Sequence, residues 1–202
     1  MEEIKIKKKH RMKENKDRFF YPEEWKKFYD KLKPKQKHTC WVLMNTGARI
    51  NEVRNVTPSD IDFVNNRLVL RVTKTKAKKG ETKGRIRTIP ISWQFSKYMK
   101  KFCEGLQATE KIKILSTSAT DKAIKIACEK AGIKDYLDFS AHNIRKTLET
   151  WLLALGAGDL ALMAHFAHDL KTAARHYVSP DVFTYKEKQQ MREIIGDLYG
   201  TH

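Results

Sequence analysis

One short run of alternating apolar and polar residues interrupts a chain whose other apolar residues recur at helical spacing. Leu68 and Leu70 alternate with polar neighbours, and Asn65-Asn66 supplies a turn before them. Residues 67–73 and 85–91 are therefore predicted strands of a β-hairpin with a long, lysine-rich connection. Since helical patterns lie on both sides, the sequence predicts an α+β fold that is mainly α-helical, with a small antiparallel β-sheet.

The predicted helices are set by capping residues and apolar periodicity. Pro22, followed by two acidic residues, begins the first helix, Gly47 ends the second as a C-cap, and Ser140 is a suitable N-cap. The helices predicted after the first cover residues 35–46, 48–56, 93–104, 120–131, 140–155, 158–167, 170–177 and 181–198.

The domain organisation follows from length and composition. The 202 residues suit one domain, and residues 1–18 are expected to be a basic tail or linker before a single domain at 19–202. No apolar run could span a membrane, and the N-terminus has no signal-peptide core. The three cysteines form no CxxC pair, which argues against a disulfide framework or a zinc site. We therefore expect a cytoplasmic protein.

Positive charge is the strongest compositional signal. The chain has 41 Lys and Arg against 24 Asp and Glu, a net charge of +17, and a pI near 9.8. Residues 71–90 alone hold eight basic residues and one acid. A solvated, lysine-rich surface would account for an even scatter of charge, but such a cluster favours a polyanion partner, most commonly nucleic acid.

A His-x-x-Arg pair lies on the predicted helix at 140–155. His142 and Arg145 are three residues apart and share a helix face. Two polar groups on one side of an apolar helix suit a cleft that holds an anion, although such a pair is often an ordinary solvated one. The same helix is expected to bury a set of apolar side chains, namely Ile144, Leu148, Trp151, Leu152 and Leu155.

Other candidate residues are ambiguous when taken singly. Arg49, two residues beyond Gly47, can orient a phosphate with its planar fork or form a surface salt bridge with Glu52. His165 and His168 can share a helix face, but no further ligand stands at a metal-binding spacing, so no metal is expected. A tyrosine near a helix end is usually a packing residue.

The order and spacing of these residues resemble those of the tyrosine recombinases, the family of phage and archaeal integrases. The order is Arg49 in TGARINEV, a lysine in a β-hairpin, His-x-x-Arg, a second His and then Tyr. His168 follows Arg145 by 23 positions and Tyr177 follows His168 by nine, which matches the family spacing. The segments TGARINEVRNVTPSDID and HDLKTAARHY are also similar to the family, and the resemblance extends over residues 19 to 199.

The resemblance implies a site-specific recombinase or integrase that cleaves and rejoins DNA through a 3′-phosphotyrosine, without metal, ATP or another cofactor. Tyr177 would be the nucleophile. The other implied catalytic residues are Arg49 and Arg145 as phosphate clamps, His142 as general base, His168 as a phosphate ligand and Lys74 as general acid, with Glu52 supporting them.

Two departures from the family pattern stand out. The usual Leu-Gly before the second His is Phe166-Ala167, which is expected to change local packing rather than chemistry. The catalytic lysine matches Lys74 best, but Lys76 would face the same side of the strand, so the assignment stays open. The basic residues of the hairpin that are expected to bind the DNA backbone are Lys76, Lys78, Lys79, Lys83, Arg85 and Arg87.

The resemblance also implies partners. Double-stranded DNA is the expected substrate, with a monomer off DNA and a homotetramer on it. The family usually has an N-terminal core-binding domain, which we do not expect within residues 1–18, so the chain is expected to be either an isolated catalytic fragment or a naturally short protein. The apolar stripe of the last helix, formed by Val182, Tyr185, Met191, Ile194, Ile195 and Leu198, can dock either on a neighbouring protomer or on its own domain.

Three other functions compete with recombination. A type IB topoisomerase would share the nucleophile and the arginines, but would relax DNA without exchanging partners. A DNA-binding module that has lost catalysis would not be expected to keep every catalytic residue type. A basic RNA-binding protein would need an aromatic platform or an RNA-binding motif, and the sequence contains neither.

Overall fold

A computed structural model describes residues 18–71, 86–167 and 182–200 of the chain. In these ranges the fold is mainly helical with one small sheet, as the sequence predicts. The helices, in chain order, are α1 (Pro22–Asp30), α2 (Pro34–Thr46), α3 (Ile50–Val53), α4 (Trp93–Phe102), α5 (Thr117–Lys130), α6 (Ala141–Ala154), α7 (Asp159–Phe166) and α8 (Tyr185–Ile195). Short 3-10 turns cover Pro58–Asp60, Tyr136–Asp138 and Leu198–Gly200.

The sheet has three antiparallel strands, β1 (Ile61–Asp62), β2 (Arg67–Arg71) and β3 (Ile86–Pro90), in the order β1-β2-β3. Leu68 pairs with Ile89, and Leu70 pairs with Arg87. Residues opposite each other in an antiparallel pair point to the same face. Leu68, Leu70 and Ile89 are buried, so Arg87 also lies on the buried face of the sheet. The predicted hairpin is confirmed within the described residues, while its connection at 72–85 lies outside them.

The core is built around α2 and α6, which pack against each other. The expected core residues of α6 are confirmed, since Ile144, Leu148, Trp151 and Leu152 are fully buried, and Leu155 is half-buried just beyond the helix end. The first described residues are fastened to α6, where Trp151 Nε1 donates to the Phe20 carbonyl at 3.0 Å. α6 is therefore anchored in the core, and the polar residues on its first turns are held in place by it.

Three predicted helix boundaries are relevant to the site. Gly47 ends α2 with a positive φ of 55°, and its N–H donates to the Leu43 carbonyl, which confirms the C-cap. Ser140 precedes α6 as its N-cap. The helix expected at 48–56 is shorter, with four residues from Ile50 to Val53, because the chain turns toward Pro58. The helix expected at 170–177 lies outside the described residues.

The C-terminal helix α8 packs on its own domain, which is one of the two arrangements that the sequence left open. It contacts α1 and α6, and both Met191 and Ile195 are fully buried. Val182 and Tyr185 are exposed, so they do not belong to the buried stripe. Of the helices within the described ranges, none is long and apolar enough to cross a membrane.

Candidate active site

A pocket of about 220 Å³ opens where the end of α2 meets the first turns of α5 and α6. The predicted His-x-x-Arg pair and Arg49 all reach it, although nearly a hundred residues separate the two motifs. Its lining residues are Ala48, Arg49, Ile50, Thr117, Asp121, Ser140, Ala141, His142 and Arg145. The expectation that a polar helix face would border a cleft is confirmed.

Arg145 is held from the interior side of this pocket. It is only 3% exposed. Nη1 donates to the carbonyl of Gly47 at 2.7 Å, and Nη2 donates to the carbonyl of Phe166, whose ring also lies 5.0 Å from Cζ of the guanidinium. Burial and the nearby positive charges of Arg49 and Arg87 lower the pKa of Arg145 to about 10, which still leaves it protonated at neutral pH.

Arg49 lies at the mouth of the pocket, just before α3. Its side chain is 53% exposed, and Nη1 is 3.3 Å from Oε1 of Glu52. The backbone N–H of Arg49 also donates to Oε2 of Glu52 at 2.9 Å. The salt bridge and the pocket-facing position therefore coexist, and the two interpretations of Arg49 offered by the sequence are compatible.

Glu52 is a buried carboxylate that is shared between two arginines. Arg87 binds it bidentately, with Nη1 3.1 Å from Oε1 and Nη2 2.8 Å from Oε2. Burial alone would raise the pKa of Glu52, but the hydrogen bonds and charge of Arg87, with smaller contributions from Arg49, hold it below its usual value. Glu52 is therefore ionised at neutral pH and fixed in position.

Arg87 differs from the expectation that it binds the DNA backbone. That expectation requires an exposed guanidinium, whereas the side chain of Arg87 is 9% exposed and is engaged with Glu52. The inward direction follows from its position across from Leu70 on the buried face. The sequence contains a signal for this burial, because Arg87, Ile89 and Ile91 are spaced two residues apart and so lie on the same face of the strand.

His142 lies on the first turn of α6, exposed at the pocket and three residues before Arg145. The start of α6 is held by Asp121, whose Oδ1 accepts from the N–H of Ala141 at 2.8 Å. A carboxylate at this helix N-terminus is favourable for the helix dipole. Asp121 was not identified from the sequence, since nothing local links α5 to the start of α6.

The charges around the pocket leave an excess of positive charge. Within the described ranges, Arg49, Arg87 and Arg145 influence one another electrostatically, and Glu52 offsets part of their charge. Asp121 contributes a second negative charge on the α5 side of the lining. Among the residues that line the pocket, two arginines face one carboxylate, so the lining has an excess of positive charge that a bound anion would balance.

His165 is a structural residue on α7. It is 1% exposed, and its Nε2 lies 2.9 Å from the Thr46 carbonyl while Nδ1 lies 2.8 Å from the Tyr199 hydroxyl. Because a carbonyl only accepts, Nε2 carries the proton and Nδ1 accepts from Tyr199. Burial lowers the pKa of His165 to about 3. No group of three His, Cys, Asp or Glu that could hold a metal occurs among the residues the structure describes.

The remaining predicted site residues lie in segments that the structure does not describe. Their positions relative to the pocket stay predictions. They are the candidate general acid Lys74, the second histidine His168, the candidate nucleophile Tyr177, and the candidate DNA contacts Lys76, Lys78, Lys79, Lys83 and Arg85. Lys74 and the other hairpin residues precede β3, which begins at Ile86. His168 and Tyr177 follow α7, which ends at Phe166.

Comparisons with known proteins agree on one family. The family profile described as "Phage integrase family" matches residues 18–182. Among curated proteins, tyrosine recombinase XerA of Saccharolobus solfataricus is 29% identical over 139 residues, which make up 68% of this chain and 44% of that protein. The chain thus spans less than half the length of this curated relative.

Solved structures show the same fold at low sequence identity. The crystal structure of XerA recombinase has a TM-score of 0.61 at 17% identity, covering 87% of this chain and 64% of that one. The Tn1549 transposon integrase in complex with circular intermediate DNA has a TM-score of 0.63 at 16% identity, covering 88% and 66%. XerH recombinase bound to its difH substrate has a TM-score of 0.56 at 15% identity, covering 85% and 52%.

Proposed function

Because the chain belongs to the phage integrase family, we propose that it is a tyrosine recombinase catalytic domain that cleaves and rejoins DNA strands. The observation that carries the proposal is the convergence of Arg49, His142 and Arg145 on one pocket with excess positive charge. Of the described residues, these are the three to which the family pattern gives direct catalytic roles, Arg49 and Arg145 as phosphate clamps and His142 as general base. Their meeting in space supports the assignment independently of their spacing in the sequence.

The arginines supply the electrostatic part of catalysis. In the transition state of phosphoryl transfer, negative charge accumulates on the non-bridging oxygens, and fixed donors aimed at that charge are usually the largest catalytic contribution. Arg145 is preorganised by the two carbonyls that it binds, and Arg49 by Glu52. We assign the clamp to these two guanidiniums, which take the part that metal ions play in many nucleases.

The proposed covalent step transfers one phosphodiester to the enzyme. The phenolic oxygen of Tyr177 attacks phosphorus while its proton passes to His142, and the bond from phosphorus to the 5′-oxygen breaks. The leaving 5′-oxygen takes a proton from Lys74, which yields a free 5′-hydroxyl and a 3′-phosphotyrosine. His168 donates a hydrogen bond to a phosphate oxygen. Attack by a 5′-hydroxyl from a partner strand reverses the step, so no high-energy cofactor is consumed.

Duplex DNA is the proposed partner. A net charge of +17 suits a polyanion, and the Tn1549 integrase and XerH, which share the fold, have been solved in complexes with DNA. Contacts from lysines such as Lys76 and Lys78 to the backbone would give affinity and register with little choice of sequence. Assembly into a tetramer on DNA is part of the same proposal.

The test is covalent trapping on plasmid DNA. Supercoiled plasmid is incubated with the protein at low salt, with EDTA and without ATP, and the reaction is stopped with detergent. We expect a protein–DNA adduct and relaxed plasmid for the wild type, and neither for Tyr177→Phe. Arg145→Ala is expected to bind the plasmid but to cleave it at least about 100-fold more slowly.

The other outcomes separate the competing functions. Plasmid binding without any adduct from the wild type would favour a DNA-binding module without catalysis. Relaxation with no strand exchange in a two-site substrate would favour a type IB topoisomerase. An adduct that persists in Tyr177→Phe would contradict the assignment of the nucleophile.

A further inference from the structure

Arg87 connects three parts of the site that are distant in the sequence. Besides its bidentate contact with Glu52, its Nε donates to the carbonyl of His165 at 3.0 Å. One side chain on β3 therefore binds both α3 and the last turn of α7. The planar fork of an arginine suits such a triple contact, whereas the point charge of a lysine does not.

Glu52 links Arg87 to Arg49, because its carboxylate contacts both arginines. Glu52 accepts from the backbone N–H of Arg49 at 2.9 Å and lies 3.3 Å from its Nη1. The side chain of Arg49 is half-exposed, so this shared carboxylate is a major constraint on where its guanidinium lies. Arg87 in turn fixes the carboxylate from the buried side with two contacts, at 3.1 and 2.8 Å, both shorter than the 3.3 Å contact from Nη1 of Arg49.

The contact with His165 reaches the other side of the site. The carbonyls of His165 and Phe166 are consecutive, and they accept from Arg87 and Arg145, respectively. Carbonyls at a helix C-terminus have no partner within the helix and carry partial negative charge, so cations there are favourable. The two arginines thereby hold the end of α7, directly before the segment with His168 and Tyr177.

We propose that Arg87 is a positioning residue for strand cleavage that acts through Glu52 on Arg49 and through the His165 carbonyl on the end of α7. It touches neither the phosphate nor the DNA backbone. This inference rests on the proposed function, and it adds a member to the site that the expected order of catalytic residues does not contain.

The charge pattern gives the proposal a pH signature. Glu52 is faced by Arg49 at the start of its own helix, by Arg87 from β3 and by Arg145 from α6, while α7 contributes the neutral His165 beside Arg87. Without Arg87, burial would favour the protonated form of Glu52. A neutral Glu52 would hold Arg49 less firmly, so cleavage would fail at a higher pH than in the wild type.

The experiment compares Arg87→Met and Arg87→Lys with Arg67→Met. Arg67 is an exposed arginine on the neighbouring strand β2, so its variant measures the loss of one surface charge. Adduct formation is followed at saturating protein, and the Kd for plasmid DNA is measured at several salt concentrations. We expect Arg87→Met to slow cleavage by about 100-fold, with no more change in Kd or in its salt dependence than Arg67→Met produces.

Two further readouts exclude a merely structural effect. The acid limb of the pH–rate profile should move upward in Arg87→Met. The double variant Arg87→Met/Glu52→Gln should cleave no more slowly than Arg87→Met alone, because both substitutions disrupt the same contact between Arg87 and Glu52. Arg87→Lys keeps the charge and provides a folded variant if Arg87→Met is unstable, and it should remain at least about 10-fold slower than the wild type.

A wild-type cleavage rate in Arg87→Lys, or weakened DNA binding with an unchanged cleavage rate in Arg87→Met, would overturn the proposal in favour of a charge or DNA contact. Failure of the proposed function is recognised separately, since the wild type would then form no adduct. In that event, carbon-13 NMR titration of the Glu52 carboxyl tests whether Arg87 is coupled to Glu52. A pKa that rises on removal of Arg87 supports the coupling, and an unchanged pKa refutes it.

Discussion

The carbonyl oxygen of Gly47 accepts a hydrogen bond from Nη1 of Arg145 at 2.7 Å, although the two residues lie 98 positions apart. Gly47 is the C-cap of α2, with a left-handed φ of 55°. That conformation leaves the end of α2 against the guanidinium, while the Phe166 ring occupies the space in which a side chain at position 47 would lie. The helix cap is therefore also part of the site that holds Arg145.

Replacement of Gly47 by alanine should damage both stability and activity. The new Cβ would lie 2.4 Å from Phe166 Cε1, and a left-handed backbone is unfavourable for alanine. We expect a loss of about 3 kcal/mol in the free energy of unfolding, and cleavage slowed by about 100-fold because Arg145 is displaced. Urea denaturation and adduct formation measure the two effects.

Gly132→Ala is the matched control for that variant. Gly132 also has a positive φ, of 74°, but no atom lies within 4 Å of a Cβ placed there. Gly132→Ala should lower the free energy of unfolding by only about 1 kcal/mol, from backbone strain, and should retain activity. Equal losses in the two variants would mean that the Phe166 contact contributes nothing.

Replacement of Ala167 by glycine should stabilise the protein. It ends α7 in the left-handed region, with φ 49° and ψ 48°, and its N–H caps the Met163 carbonyl. Ala167→Gly is expected to raise the free energy of unfolding by about 1 kcal/mol, because glycine adopts this conformation without a steric penalty. Ala164→Gly, an exposed position inside the same helix, should lower it by about the same amount. A destabilised Ala167→Gly variant would contradict the strain inferred from φ.

Local patterns predicted most of the described fold and the local placement of some candidate site residues. The alternation around Leu68 and the cap at Gly47 were sufficient to place β2 and the end of α2, since both depend on neighbouring residues. The shared face of His142 and Arg145 was predictable for the same reason. Their meeting with Arg49 depends on how α2 packs against α6, which no local pattern determines.

Arg87 illustrates the limit of reasoning from charge. Its membership in a basic cluster favoured a DNA contact, whereas the alternation with Ile89 placed it on the buried face. The acceptors that make burial tolerable, Glu52 and the His165 carbonyl, are 35 and 78 positions away in the chain. The sequence shows the residue and its strand, but not the long-range partners that decide its role.

Lysine substitutions should separate the two proposed phosphate clamps. Arg145→Lys loses at least one of the two carbonyl contacts of a buried group, so we expect a loss of about 1–3 kcal/mol in stability together with slow cleavage. Arg49→Lys affects a half-exposed side chain, so stability should change by less than about 1 kcal/mol while cleavage is still slowed. Thermal melting and single-turnover cleavage test both expectations, and equal destabilisation by the two variants would contradict the difference in burial.

Acid should destabilise the protein through His165 well before its carboxylates titrate. Burial lowers the pKa of His165 to about 3, from an ordinary value of 6.5, so the folded state favours the neutral ring. As the pH falls below 6.5, the unfolded chain takes up a proton that the folded chain refuses. The free energy of unfolding should therefore fall by about 1.4 kcal/mol per pH unit until about pH 3, where the folded form also titrates.

A second histidine adds to this pH dependence and provides a comparison. Burial lowers the pKa of His38 to about 4, so His38 contributes in the same direction between pH 6.5 and 4. Urea unfolding at half-unit steps from pH 7 to 5 measures the combined slope above the range in which Glu52 titrates. His165→Gln keeps a donor toward Thr46 and an acceptor toward Tyr199. Its unfolding should take up about one proton fewer than that of the wild type, which lowers the slope of the free energy of unfolding against pH. An unchanged slope in His165→Gln would mean that His165 is protonated in the folded protein, contrary to its buried, singly protonated state.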